Sequence, residues 1–247
     1  NIDVLNEDVM GFDFVNDNSI RGIRPGYINQ QIVKLQFWET GLTENYFCID
    51  SDSEFIRTFG INDFMFDEST PYSVLIEDKE LQVEPLYYAE YWQERAQLLD
   101  AIKYEIGIAQ SKTFTCHNNT TFNVDVLRDL KERFMEKRSL SYKDLLKISP
   151  YEFSWYNFWL QSSDVVEVRP CEPFFKMFHS REQHIDYRRK GITLEDIARA
   201  YIGVIINSNY SRDYGLVGYD DEHAYRRPLL RRIKNKIKRL ISTPLTK

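Results

Sequence analysis

The chain is poor in the residues that mark secreted and membrane-spanning proteins. Its 247 residues include only three cysteines, Cys48, Cys116 and Cys171, which lie far apart and form no C-x-x-C pair. An odd number of scattered cysteines favours buried thiols in a reducing compartment over a disulfide framework or a zinc site. The sequence also lacks an apolar run of about 18 residues and a signal-peptide pattern, which argues against a membrane span and against export.

Basic residues are scarce over most of the chain. The net charge is −6, but residues 226–247 contain nine basic and no acidic residues, which leaves 23 basic against 38 acidic residues, or −15, on residues 1–225. A nucleic-acid-binding domain needs a basic face, so the acidic part argues against a nucleic-acid partner. We expect one domain over 1–225 and a separate basic tail over 226–247.

Apolar and aromatic residues are abundant, at 43% and 15% of the chain, and suffice for a sizeable core. Their periodicity predicts helices separated by strands. The predicted helices cover 26–38, 87–106, a segment capped by Asn123, 151–160, and 193 to about 206; the predicted strands cover 46–49, 113–116 and 165–168, with a strand or apolar loop over 174–178. This alternation predicts an α/β fold with a mainly parallel mixed sheet flanked by helices.

One predicted strand ends on two aspartates. The apolar run from Tyr46 to Ile49 suits a strand buried on both faces, and Asp50 and Asp52 follow it directly. Alternate residues of an extended chain point the same way, so both carboxylates are expected to reach one ion. Oxygen ligands favour Mg²⁺ or Mn²⁺, which share their coordination shell with substrate phosphates. A solvated turn or a helix cap is the alternative interpretation of the same pattern.

The helix upstream of these aspartates carries two distinct faces. Ile28, Ile32 and Leu35 form an apolar stripe at i, i+4 and i+7, while Gln31 and Lys34 lie on a neighbouring face. An ordinary amphipathic helix with Lys34 in water is the simpler interpretation. The helix nevertheless leads directly into the aspartate strand.

These segments resemble bacterial glycosyltransferase-like proteins of GT-A type, which are associated with surface polysaccharide synthesis. The likeness lies in Gln30-Gln31-x-x-Lys34-Leu35 and the strand end Ile49-Asp50-Ser51-Asp52, and more loosely in 115–119 and 149–156. It implies a GT-A-like fold and transfer of a sugar from a nucleotide-diphosphate donor to a lipopolysaccharide, capsule or lipid-linked acceptor. Because a complete GT-A domain opens with a strand-helix-strand unit, and only about 45 residues precede the aspartates, we expect a truncated N-terminus.

The resemblance also implies roles for individual residues. Asp50, Asp52 and the late His179 are expected to hold Mn²⁺ or Mg²⁺, and Gln31 and Lys34 are expected to contact the donor. For His179 the alternative is a loop histidine bonded to a backbone carbonyl.

Glu152 is the expected catalytic base, at the start of an aromatic-rich helix. Desolvation raises the pKa of such a carboxyl and the helix dipole lowers it, so the balance stays open, and a purely helix-capping glutamate is the alternative. The expected acceptor-binding residues are His117, Asn118, Trp155 and Tyr156. A polar turn accounts equally well for the first two of these.

The basic tail has the pattern of an amphipathic helix. Leu229, Ile233, Ile237 and Leu240 recur at helical spacing among arginines and lysines. Such a helix is typical of an anchor on an anionic membrane surface, which predicts a cytoplasmic protein at the inner face of the cell membrane. A helix docked on the acidic domain and a disordered tail are the alternatives.

Two other function classes stay open. A metal-dependent phosphodiesterase would use the same aspartates, but its two-metal site needs more histidines and carboxylates than the pattern offers. A non-catalytic glycan-binding or assembly protein on a transferase-like fold is the main rival. The donor base, the sugar and the stereochemistry of transfer do not follow from the sequence.

Overall fold

The computed structural model describes residues 5, 10–75, 93–108, 119–208, 211, 215, 216 and 218–225. The chain divides into two compact units, of which the first comprises Asn1–Ile49 and Gly60–Pro173 and the second Asp50–Phe59 and Phe174–Lys247. The strand predicted over 113–116, the first part of the helix predicted over 87–106 and the basic tail lie outside the described residues.

The first helix of the first unit confirms its predicted apolar stripe. Helix α1 (Pro25–Gln36) begins with a proline, whose fixed φ suits a first helical turn, and continues as a 3₁₀ turn over Phe37–Thr40. Ile28, Ile32 and Leu35 on this helix are fully buried.

The described residues of the first unit contain four further α-helices. They are α2 (Gln93–Ile106), α3 (Val124–Asp129), α4 (Tyr142–Ile148) and α5 (Glu152–Ser162), and α3 runs on as a π-helix over Leu130–Met135. Asn123 caps α3 as predicted, because its side-chain oxygen accepts hydrogen bonds from the N–H groups of Asp125 and Val126. The packed faces of these helices bury one large apolar cluster.

The strands of the first unit form two separate pairs. Strand β1 (Asn45–Cys48) runs antiparallel to β4 (Thr120–Asn123), and β3 (Tyr72–Val74) runs parallel to β5 (Arg169–Cys171). All four residues of β1 are half-buried, so the prediction of a strand buried on both faces is wrong. An antiparallel strand with one described neighbour does not need two covered faces.

The second unit contains a three-stranded sheet. Strand β7 (Gly203–Ile206) lies between β2 (Ser53–Phe55), to which it is antiparallel, and β6 (Phe175–Phe178), to which it is parallel. Helices α6 (Arg181–Arg189) and α7 (Leu194–Ala198) follow β6. A small core forms on this unit from Phe178, Ile197, Val204, Ile206 and Tyr219.

The α/β class is confirmed, and the four described strand pairings are evenly mixed rather than mainly parallel. The strand predicted over 165–168 is wrong, since β5 begins at Arg169. The helix that starts after Thr193 ends at Ala198 instead of continuing to 206, because Val204, Ile205 and Ile206 are β-branched residues that favour a strand. Within the described part of the chain, no helix has the length and apolar character needed to cross a bilayer.

Candidate functional site

The two aspartates lie in a tight turn. The N–H of Ser53 donates to the carbonyl oxygen of Asp50 at 3.0 Å, which closes a turn over 50–53. The expectation that both carboxylates point the same way assumed an extended chain, but residues 50–53 form a turn. The backbone therefore has the conformation of the alternative interpretation of the Asp-x-Asp pattern, which was a turn.

Asp52 is held at the edge of the second unit's sheet. Its Oδ2 accepts a hydrogen bond from the N–H of Ser208 at 2.9 Å, and its carbonyl oxygen accepts one from Ile206 at 3.1 Å. Its Oδ1 is buried and has no hydrogen-bond partner among the described residues. A buried carboxylate oxygen without a partner is costly, so this atom is suited to a cation or a hydrogen-bond donor from a ligand.

His179 lies at the same edge of this sheet. Phe178 and Ile206 are paired in register at the ends of the parallel strands β6 and β7, and His179 follows the first of them directly. Strands are about 4.8 Å apart, so the backbones of Asp52 and His179, two strands apart, are separated by roughly 10 Å. Ligand sites in α/β sheets lie at the carboxyl ends of parallel strands, which is where these residues are.

The donor groups at this edge limit the kind of metal site it can form. No group of three histidine, cysteine, aspartate or glutamate side chains in the described ranges is arranged to hold a metal ion. Mg²⁺ is commonly bound by one or two carboxylates together with waters and substrate phosphates. The Asp52 carboxylate therefore suits an ion that arrives with a phosphorylated ligand better than a permanently bound metal.

Three other predicted residues meet in a buried cluster of the first unit. Lys34 Nζ lies 3.0 Å from Glu152 Oε1, and both side chains are at least nine-tenths buried. With its amide nitrogen turned toward Glu152, Gln31 donates to both carboxylate oxygens. The Lys34 ammonium also lies 4.6 Å from the centre of the Phe153 ring. The interpretation of Lys34 as a solvated residue is therefore wrong.

The local folding of this cluster follows from helix geometry. Gln31 and Lys34 are three residues apart on α1 and so share a face, while Glu152 is the first residue of α5. The hydroxyl of Tyr46 donates to the carbonyl oxygen of Lys34 at 2.7 Å and fixes this turn of α1 against β1. Buried ion pairs are tolerated where further hydrogen bonds satisfy the charged groups, and Gln31 supplies such a bond.

Two tyrosines near this pair stay protonated. Burial, and after it the Glu152 carboxylate, hold the pKa of Tyr27 well above its ordinary value, and burial does the same for the pKa of Tyr46. Both phenols are therefore neutral at physiological pH. The Lys34–Glu152 ion pair thus lies beside two neutral phenols, and Arg95 is a further charged group close to Tyr27.

A groove runs along one side of α1 in the first unit. It has a volume of about 490 Å³ and is lined by α1 and by the residues at the end of β1: Asn29, Gln30, Val33, Lys34, Cys48 and Ile49, with Gly26 at the start of the helix. Lys34 belongs to both the groove wall and the buried ion pair. No sequence pattern indicated this groove, because it arises from the packing of a helix beside a strand end.

Trp155 and Tyr156 belong to the core. They are 0% and 1% exposed, Trp155 Nε1 donates to the carbonyl oxygen of Ser149, and Tyr156 Oη accepts a hydrogen bond from the N–H of Asn123. Neither ring presents a face on which a sugar can stack, so their expected acceptor-binding role does not fit their position. His117 and Asn118, the other two expected acceptor residues, lie outside the described residues.

Comparison with known proteins places the chain in a family. The model of a family of unknown function (DUF6492) matches residues 1–189, about three quarters of the sequence, and the chain belongs to this family. No curated protein and no solved structure matches the chain. The matched range includes Gln31, Lys34, Glu152, His179 and the 50–53 turn.

Proposed function

We propose that this protein is a metal-dependent glycosyltransferase with a GT-A-like fold that moves a sugar from a nucleotide-diphosphate donor to a bacterial surface-glycan acceptor. The observation that carries the proposal is the position of Asp52 at the carboxyl edge of parallel strands. One oxygen of its carboxylate is fixed by a backbone N–H, and the other is buried without a partner among the described residues. The Asp-x-Asp resemblance supplies the reaction class.

In this proposal Asp50 and Asp52 bind Mn²⁺ or Mg²⁺ together with the donor diphosphate. Breaking the sugar–phosphate bond develops negative charge on the leaving diphosphate, and a cation at this edge offsets that charge. His179, at the same edge of the sheet, is the third proposed ligand. Gln31 and Lys34 are assigned to the donor by the resemblance alone.

Glu152 is the proposed base of an inverting transfer. The acceptor hydroxyl must then reach a carboxylate that Lys34 and Gln31 already contact. A retaining transfer needs no base at this position.

A second candidate function is glycan binding without catalysis. One observation favours it: Glu152 is 4% exposed and its carboxylate is engaged by buried donors, as expected of a structural charge. In that case the chain binds or assembles a glycan and transfers nothing.

Turnover separates the two candidates. The full chain is incubated with a panel of nucleotide-sugars, with and without Mn²⁺, and release of the nucleoside diphosphate is measured. We expect Mn²⁺-dependent release from at least one donor, and its loss in Asp52→Asn. Asp67→Asn is the matched control, since Asp67 also accepts backbone hydrogen bonds in an exposed turn, from Ser69 and Thr70. Absence of release from every donor, with glycan binding retained, would establish the second candidate instead.

The basic tail extends this proposal to the membrane. Residues 226–247 would hold the protein at the cytoplasmic face of the cell membrane, where lipid-linked acceptors are found. The support is the sequence pattern of nine basic residues beside an apolar stripe.

A further inference from the structure

We propose that the groove beside α1 binds an uncharged sugar residue of a glycan. This α1 groove is the space of about 490 Å³ lined by α1 and the end of β1. Its volume lies in the range of about 300–1,000 Å³ that is typical of small-molecule sites. The proposal concerns the first unit alone.

The charge of the groove argues against an anionic ligand. Lys34 is the only ionised side chain among the described residues that line it, and Glu152 balances that charge at 3.0 Å. An anion about 4 Å from the ammonium gains about 4 kcal/mol at an effective dielectric constant of about 20, but a carboxylate about 6 Å from it costs about 3 kcal/mol. The remaining gain of about 1 kcal/mol does not offset the desolvation of a phosphate.

The groups that line the groove match the chemistry of a sugar. The carboxamides of Asn29 and Gln30 and the ammonium of Lys34 are of the kind that pair with hydroxyl groups, and charged donors make the stronger bonds. Val33 and Ile49 supply apolar surface for the C–H face of a sugar ring. The wall therefore combines a few polar groups with apolar surface, as small-molecule sites do.

Part of this wall is rigid before any ligand binds. The Asn29 carboxamide accepts a hydrogen bond from the N–H of Val15 at 2.9 Å and donates one to its carbonyl oxygen at 3.0 Å. Lys34 is held by Glu152, and Tyr46 holds its carbonyl oxygen. Side chains that are already ordered lose little entropy on binding, which favours affinity for a ligand as weakly attracted as a neutral sugar.

This inference does not depend on the metal chemistry proposed above. A transferase would use the groove for a sugar of its acceptor or donor, and a glycan-binding protein would use it for its ligand. Failure of Mn²⁺-dependent turnover therefore leaves it standing.

Cys48 provides a reporter, because this half-buried cysteine is one of the residues that line the groove. The full chain is alkylated with iodoacetamide, and each cysteine is followed separately by peptide mass spectrometry. The probes are the methyl glycosides of glucose, galactose, N-acetylglucosamine and rhamnose, and inorganic pyrophosphate. At ten times its dissociation constant, a bound glycoside should slow Cys48 alkylation about tenfold, since only the unoccupied fraction reacts. Cys171, which does not line the groove and whose pKa burial raises to about 12, is the internal comparator and should not change.

A blocking variant makes the test specific. Gly26 lines the groove, and a Cβ added there meets no heavy atom of the other described residues within 4 Å, so Gly26→Ala should fold with an unchanged Tm. Gly26→Phe, whose Tm is measured alongside, should abolish the protection. Gly60→Phe, at an equally open glycine outside the groove lining, should retain it, and so should Asp52→Asn. The proposal is overturned if no glycoside slows Cys48 alkylation, if pyrophosphate protects as well as the glycosides do, or if Gly26→Phe keeps the protection.

Discussion

Lys34 and Glu152 form a buried ion pair. Each is a charged side chain with nine-tenths or more of its surface buried, and their charged atoms lie 3.0 Å apart. Removing one member of a buried pair leaves the other uncompensated, which typically costs about 3–5 kcal/mol, whereas replacing both with apolar groups is often neutral. This asymmetry makes the structural contribution of the pair measurable.

We therefore predict that Lys34→Met lowers the free energy of unfolding by about 3–5 kcal/mol, and that the double variant Lys34→Met/Glu152→Leu recovers most of this loss. Urea denaturation of the single and double variants measures both values. A single variant as stable as the wild type would show that the pair is not formed.

If Glu152 is also the catalytic base, its substitution should change turnover and donor affinity differently. Glu152→Gln should then reduce turnover by about 10²–10⁴-fold with little change in donor affinity, as expected for a group that acts in the transition state. Wild-type turnover in a folded Glu152→Gln chain would leave Glu152 with a structural role only.

His184 makes the stability of the second unit depend on pH. It is fully buried, its ring stacks on Tyr219, and its Nε2 lies 2.6 Å from the carbonyl oxygen of Tyr219. Burial lowers the pKa of His184 below its ordinary value of 6.5. As pH falls below about 6.5 the unfolded chain takes up a proton that the folded chain resists, so the free energy of unfolding decreases until the folded pKa is reached.

The predicted slope is at most about 1.4 kcal/mol per pH unit for this one group. Urea titrations between neutral pH and mildly acidic pH should show it in the wild type and lose it in His184→Gln. A wild-type stability that is flat or rises over this window would contradict the prediction.

At the residue scale, sequence spacing correctly predicted which residues share a face of one helix. It did not predict which residues of other elements they contact. The i, i+3 separation of Gln31 and Lys34 places them on one side of α1, as expected. The contact of Lys34 with Glu152, 118 residues further on, depends on how two helices pack, and no local pattern carries that information. Trp155 was expected to bind the acceptor but lies in the core. An aromatic-rich helix start has the same sequence pattern whether its rings bind a ligand or fill a core.

At the scale of elements, β7 is the strand on which the second unit's sheet depends. An added Cβ at Gly203 would clash with the ring of Phe175 on one neighbouring strand and would lie 2.6 Å from the carbonyl oxygen of Glu54 on the other. Backbone atoms cannot move aside cheaply, so the strand needs glycine here for close approach.

Gly203→Ala should therefore destabilise the protein by about 1–3 kcal/mol, the usual cost of overpacking. Gly60→Ala is the control, since no heavy atom of the other described residues, its two chain neighbours aside, lies within 4 Å of the added Cβ, and it should leave the Tm unchanged. Equal Tm values for the two variants would contradict the packing described for β7.

Element starts were more predictable than element ends. Asn123 caps a helix as expected, and the helix predicted from 193 begins directly after its cap, Thr193, because a capping side chain acts through hydrogen bonds within its own turn. The end of the helix after Thr193 was placed too late, since the apolar residues of 203–206 fit a helix and a strand equally well by periodicity. Their β-branching was the available signal for β7.

At the scale of the whole molecule, the chain passes from the first unit into the second and back. Residues 50–59 belong with the segment that begins at Phe174, because β2 pairs with β7 about 150 residues later. Periodicity and composition describe contiguous segments. They led to the expectation of a single domain over 1–225 and gave no indication of this discontinuous boundary.

The basic tail yields the prediction at this scale. The full chain should sediment with liposomes that contain anionic lipid at low salt, and deletion of 226–247 should abolish this, since each basic residue near such a surface contributes about 1 kcal/mol. Uncharged phosphatidylcholine liposomes are the control. A full chain that stays in the supernatant at low salt would exclude the anchor.

The proposed function requires that Asp52 bind a divalent ion together with the phosphates of a nucleotide donor. Calorimetric titration of the full chain with uridine and guanosine diphosphates, with and without Mn²⁺, measures this binding. We predict Mn²⁺-dependent binding that weakens by at least about 10–100-fold in Asp52→Asn, a loss that even outer-shell changes at metal sites produce, and that is unchanged in Asp67→Asn. Nucleotide binding that needs no metal, or that Asp52→Asn leaves intact, would contradict the claim.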